Sequence, residues 1–259
     1  MEKKQRFLKK GLVFLAVGML MAMLCGMTAS AATYTLSTPG KIYSGTKKGT
    51  NFHKVKVSKT GVLGIQAYCL TSSGKKTIIQ IGLLNSKGQP MEKKYRVMTS
   101  SNSYSAYYGV KKGTYYIATY GSYAYRIQYK VTGVTENSGS SQSSAKTIDR
   151  AVVRNGLVTM GESRTKSDWY KIRIVNRKSF QLSFSALTNG GDLVVQVQIP
   201  KWKLNKKYVC GSGENFTRQY QIQTNGVYTG TNITAMAYIR VYRKSNYAPT
   251  SGAYSLKWT

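Results

Sequence analysis

The pattern of apolar and polar positions changes character once along the chain. From residue 33 onward, short runs rich in Val, Ile, Tyr and Thr alternate with polar residues and are broken by Gly, Ser and Asn. His53-Lys54-Val55-Lys56-Val57, Thr77-Ile78-Ile79-Gln80-Ile81 and Tyr125-Arg126-Ile127-Gln128-Tyr129 are examples. Alternation of period two puts one side of a strand on a core and the other in water. No segment beyond residue 32 spaces its apolar residues for an amphipathic helix,. The pattern predicts an all-β protein. The first 32 residues differ: Met1–Lys10 is basic, Gly11–Gly26 is apolar, and Thr28-Ala29-Ser30-Ala31-Ala32 is small. That order predicts a signal peptide over 1–32, cut after Ala31 or Ala32. An uncleaved membrane anchor is the alternative, since the apolar run is nearly long enough to span. Leu24 stands before Cys25 where a lipid-attachment site would have a small residue, which argues against lipidation.

The remainder divides in two. Glu136–Ser144 is polar, serine-rich and without an apolar anchor, so it reads as a flexible linker,. The flanking parts look like copies. Phe52–Val57 matches Trp169–Ile174, and Leu63–Ala67 matches Leu182–Ala186. Ile79–Ile81 matches Val195–Val197, Tyr116–Tyr120 matches Tyr238–Tyr242, and Ala124–Tyr129 matches Ala253–Trp258. Five matches in one order indicate an internal duplication. The expected organisation is a first β-sandwich module at 33–134, a Ser/Gly linker at 135–146 and a second module at 147–259.

Charge narrows the function. The 259 residues hold 39 Lys and Arg against 8 Asp and Glu, a formal net charge of +31. The surplus is shared: residues 33–140 carry 16 bases and 2 acids, and 141–259 carry 18 and 5. Lys201-Trp202-Lys203-Leu204-Asn205-Lys206-Lys207-Tyr208 interleaves cations with rings, and Lys93-Lys94-Tyr95-Arg96 lies at the comparable place in the first copy. These residues are the candidate site: cations on the charges of an anionic polymer, rings on sugar faces. The competing reading is lysine on an edge strand, which blocks sheet-to-sheet aggregation. Among the tyrosines, Tyr116 and Tyr125 recur as Tyr238 and Tyr254 and are expected in the cores, whereas Tyr107 and Tyr108 are candidates for a surface platform.

Catalytic material is scarce. His53 is the only histidine, at the position that Tyr170 occupies in the other copy. A Cys69–His53 pair is conceivable, but neither a nucleophile-elbow serine nor a metal-ligand spacing is present,. Cys69 and Cys210 fall in different halves, and either a bridge between modules or two unpaired thiols fits the sequence,. No cofactor, metal or enzymatic activity is expected.

Ser167-Asp168-Trp169-Tyr170-Lys171-Ile172, Gly113-Thr114-Tyr115-Tyr116-Ile117 and the closing Gly252-Ala253-Tyr254-Ser255-Leu256 together resemble the bacterial pre-peptidase C-terminal domain. In the first copy the closing element is Tyr123-Ala124-Tyr125-Arg126-Ile127, with Tyr in place of Gly. The resemblance implies two tandem jelly-roll-like β-sandwich modules that accompany exported enzymes as accessory or binding units. Some members bind calcium. That property is not carried over, because the first copy has only Glu92 and the linker Glu136 as carboxylates,. The expectation is a secreted, non-catalytic protein that binds an anionic polysaccharide or cell-wall polymer, with cell-surface association open. Nucleic acid would bind only non-specifically. A membrane would be engaged only through the uncleaved segment or anionic headgroups. The alternative is an accessory module docked on another secreted protein.

Overall fold

The computed structural model describes residues 32–45, 49–70, 78–92, 96–99, 103–121, 124–163, 165–177, 179–221, 223–224, 227–228, 233–244 and 250–259. Of the predicted signal segment at 1–32, residues 1–31 lie outside them and Ala32 begins the first strand. The first module contains β1 (Ala32–Leu36), β2 (Tyr43–Gly45), β3 (Gly49–Val57), β4 (Gly61–Cys69), β5 (Ile78–Leu84), β6 (Arg96–Thr99), β7 (Tyr104–Val110), β8 (Gly113–Gly121) and β9 (Tyr125–Gly133). The second contains β10 (Lys146–Thr147), β11 (Arg154–Val158), β12 (Ser167–Arg177), β13 (Ser179–Thr188), β14 (Leu193–Ile199), β15 (Leu204–Cys210), β16 (Asn215–Gln221), the short pair β17 (Gln223–Thr224) and β18 (Val227–Tyr228), β19 (Ile233–Arg243) and β20 (Gly252–Trp258). Pro200–Trp202 forms a single 3₁₀ turn. The protein is all-β.

The duplication is written in the strand order. Module one pairs β1-β3-β8-β5-β6 in one sheet and β2-β9-β4-β7 in the other; module two repeats this as β10-β12-β19-β14-β15 and β11-β20-β13-β16. Even the parallel edge recurs, β1 beside β3 and β10 beside β12. Each module closes over its own core, one around Val55, Leu63, Ile81 and Ile117, the other around Ile172, Leu182, Val195 and Ile239. Alternation places these side chains: on β3, Asn51, His53, Val55 and Val57 are buried while Lys54 and Lys56 are exposed. A shared detail recurs at the edge of each four-stranded sheet. Gly45 pairs with Tyr125 and Gly156 with Tyr254. A Cβ at either glycine would lie 2.3 or 2.0 Å from the tyrosine ring, so only glycine lets the ring lie across the strand,.

Two of the sequence matches need correction. Taking Tyr116 with Tyr238 as the reference, Ile81 pairs with Thr119 and Val195 with Val241, so Ile81 corresponds to Val195 rather than Val197. Likewise Cys69 pairs with Tyr125 and Ala186 with Tyr254, so Cys69 rather than Ala67 corresponds to Ala186. A slip of two residues keeps every side chain on its original face, which makes it invisible to a hydropathy pattern.

The Ser/Gly segment is not a free linker. Gly139 and Trp169 exchange backbone hydrogen bonds of 2.8 and 2.9 Å, Ser141, Ser143 and Ser144 bond one another, and Ala145 is buried. Satisfied backbone groups fix a segment that has no apolar anchor. The modules also touch. The Met160 N–H donates to the Gly109 carbonyl on β7 at 2.8 Å, and the Met160 side chain joins the first module's core. The Gly109 N–H in turn donates to Ser251 Oγ at 3.3 Å.

Candidate anionic-polymer interface

The edge strand β15 carries most of the predicted site. It pairs with β14 so that Leu204, Lys206, Tyr208 and Cys210 stand opposite Ile199, Val197, Val195 and Leu193, on the inward side. Asn205, Lys207 and Val209 therefore project outward. Lys206 and Lys207 are both exposed, on opposite faces of the sheet. Lys201 is exposed and its Nζ donates to the Thr234 carbonyl at 3.1 Å. Lys203 takes a left-handed conformation (φ 51°) as it turns the chain from the 3₁₀ turn into β15. The consecutive run thus breaks into separate surfaces. Lys93, Lys94 and Tyr95 lie outside the described residues. Arg96 begins β6, opposite Ile81, at the register position that Tyr208 holds opposite Val195.

The aromatic half of the prediction requires revision. Trp202 is only 6% exposed and belongs to the second core, because the 3₁₀ turn folds its indole inward. Tyr208 is half-buried and lines a cleft of about 500 Å³ between β15 and β16, with Phe216 and Arg218. The Arg218 guanidinium stands 5.5 Å from the Tyr208 ring and 5.6 Å from Phe216. Tyr108 is fully buried and bonded to Tyr104, so it is no surface platform; Tyr107 faces outward beside Gly64. Tyr125 and Tyr254 are in the cores as expected, but Tyr116 and Tyr238 sit on the outer faces of the five-stranded sheets. Each follows a buried residue by one position in the alternation, and the repeat itself could not distinguish the two faces.

Those outer faces bring the predicted Lys207 together with residues the sequence did not single out. In module two, Trp169, Arg240, Gln196 and Lys207 lie side by side across β12, β19, β14 and β15. A neighbouring row is Lys171, Tyr238, Gln198 and Asn205. The Arg240 guanidinium stacks 4.6 Å from the Tyr242 ring and 5.5 Å from Trp169. Gln196 donates to Asn205 Oδ1 at 2.8 Å. The only signal in the sequence was the every-second-residue spacing of Trp169, Lys171 and Arg173 along β12, which register alone brings beside Arg240.

The carboxylates are elsewhere. Lys166 Nζ lies 3.3 Å from Glu136, 3.0 Å from Glu162 and 3.8 Å from Asp168, while Arg243 lies 3.7 Å from Glu162. Asp168 is buried, accepts a 2.7 Å hydrogen bond from the Tyr254 hydroxyl, and is pushed up to about 7, first by burial and then by the nearby Glu136. Arg154 pairs with Asp149 and Lys244 with Asp192, and Glu214 accepts from the Gly211 N–H.

His53 is buried, 2.7 Å from the Tyr125 hydroxyl through Nε2, and burial lowers its pKa to about 4. Its place is a packing position against Tyr34 and Tyr125. Cys69 and Cys210 are free, buried thiols, and burial raises both. Among the described residues no three His, Cys, Asp or Glu side chains gather as a metal site, and no helix is long and apolar enough to cross a membrane.

No family model matches the sequence, and no curated protein matches it. Among solved structures, the pre-peptidase C-terminal domain of collagenase from Bacillus anthracis is similar at 17% identity over 40% of this chain and 99% of that one, with a TM-score of 0.30. Tripeptidyl peptidase 2 is similar at 9% identity over 86% and 24%, with a TM-score of 0.28. The ANX2 ectodomain from Arabidopsis thaliana is similar at 7% identity over 83% and 82%, with a TM-score of 0.24. The fold class rests on the chain's own strand order: a β-sandwich made twice.

Proposed function

We propose that this chain is a secreted, non-catalytic protein of two pre-peptidase-C-terminal-like modules that binds an anionic polymer, such as an acidic glycan or cell-wall polymer. One observation supports this above the others: the few described acidic side chains are spent on internal contacts. Asp149, Asp192, Glu136, Glu162 and Asp168 face Arg154, Lys244, Lys166 and Arg243, and Glu214 caps a turn. Among the described residues no other Lys or Arg side chain pairs with a carboxylate in these contacts. Without residues 1–32, which hold five bases and one acid, the net charge is still +27, far above the magnitude of about 2–8 that keeps a small domain soluble, and it costs stability through self-repulsion,.

The test is retention of the segment Ala32–Thr259, which contains both cores, on heparin and on purified wall polymer. The expected result is strong retention at low salt that is lost at moderate salt, as screening shortens the reach of surface charge. Failure to be retained on any anionic polymer at low salt would overturn the reading.

A further inference from the structure

We propose that the outer face of the five-stranded sheet of module two is the specific binding site, and that its ligand is an acidic polysaccharide carrying carboxylate or sulfate groups. This rests on the anionic-polymer reading above and moves the site from the β15 edge onto the sheet. The row Trp169, Arg240, Gln196 and Lys207 crosses four strands, a span of about 14 Å at the usual strand spacing,. Lys171 and Arg173 extend it along β12. No carboxylate occupies an outward position of β12, β19, β14 or β15, and among the described residues none pairs with Lys171, Arg173, Lys207 or Arg240.

The centre of the row is set before any ligand arrives. Arg240 is held between the rings of Tyr242 and Trp169, and Trp169 is itself anchored by its Nε1–H donating to Ser167 Oγ at 3.2 Å. A cation fixed by stacking loses little freedom on binding. Arg240 Nε and Gln198 Oε1 are both buried without a hydrogen-bond partner among the described residues. One is a donor and the other an acceptor. Both atoms are shut off from solvent; the group a ligand meets between the cations is the exposed Asn205 amide beside Gln198, which presents a donor and an acceptor that sugar hydroxyls match, whereas a phosphate-only ligand offers acceptors alone,. Module one lacks the arrangement: the corresponding row is Phe52, Ala118 and Gly82. The face therefore provides one site per chain.

The experiment titrates Ala32–Thr259 with a size-defined heparin oligosaccharide, and with polyphosphate, single-stranded DNA and phosphatidylglycerol vesicles at matched charge. Calorimetry gives stoichiometry, and tryptophan emission reports the site, since Trp202 and Trp258 are buried and Trp169 alone lies on the face. The expected result is one heparin site, at least tenfold tighter than polyphosphate, with an emission change that Trp169→Phe abolishes. Arg240→Gln with Lys171→Gln should weaken heparin at least tenfold. Lys201→Gln with Lys203→Gln removes the same charge elsewhere and should weaken it less than threefold. Lys171→Gln with Arg173→Gln, two surface changes that leave the stacked arginine in place, should also weaken heparin more than the Lys201/Lys203 pair. Equal losses from the face and control pairs would overturn the site while leaving the anionic-polymer reading intact. Polyphosphate, DNA or vesicles binding as tightly as heparin would overturn the ligand class. No binding to any probe would remove the wider reading as well.

Discussion

Asp168→Asn tests the electrostatics of the second module most directly. The sister module already has Asn51 at the equivalent place, opposite Thr119 as Asp168 is opposite Val241. The buried Asp168 carboxyl is raised from its ordinary 3.8 to about 7. A carboxyl raised in this way binds its proton more tightly when folded, so ionisation opposes folding. The penalty is absent below about pH 4, grows as the pH rises toward 7, and is constant above. Three units at about 1.36 kcal/mol each set a ceiling of about 4 kcal/mol. Asparagine keeps an oxygen to accept the Tyr254 hydroxyl and carries no charge. The two proteins should therefore be about equally stable near pH 4, and the variant more stable by about 2–4 kcal/mol at pH 8. Urea unfolding read by tryptophan emission is suited to this, because Trp169, Trp202 and Trp258 all lie in the second module. A stability difference that does not change between pH 4 and pH 8, or a variant weaker at pH 8, would refute the argument.

The first module should respond to pH in the opposite sense. His53 is lowered to about 4 by burial, so its stabilising neutrality is complete above 6.5 and is lost as the pH falls toward 4, by up to about 3 kcal/mol,; the single histidine's NMR resonance should not titrate between pH 8 and 5. Gly109→Ala puts a Cβ 2.1 Å from the Val158 carbonyl oxygen and 2.9 Å from the Gly252 nitrogen at the junction, so it should cost about 1–3 kcal/mol and divide one calorimetric transition into two,. Ile239→Ala, fully buried on the central strand of its sheet, should cost about 2–5 kcal/mol in urea unfolding,. Cys69 and Cys210 should resist thiol reagents at pH 8 until denaturant is added, because burial holds both as thiols,.

Local chemistry determined the strands, the cationic surplus and the twofold repeat, because alternation with period two, charge and order survive in a linear string. It also placed Tyr125 and Tyr254 in the cores. It misjudged Tyr116 and Tyr238, since a repeated tyrosine marks an equivalent position without saying which side of the sheet it takes. Trp202 looked exposed beside its lysines, and a single 3₁₀ turn folded it inward. The serine segment looked loose, and backbone pairing with Trp169 fixed it. Lys206 and Lys207 looked like one patch, yet adjacent residues on a strand face opposite ways. The row from Trp169 to Lys207 joins four strands from distant parts of the chain, and hydrogen-bond register aligned it. Register is set by the cooperative closing of a sheet over its core, and a displacement of two residues leaves the hydropathy pattern unchanged.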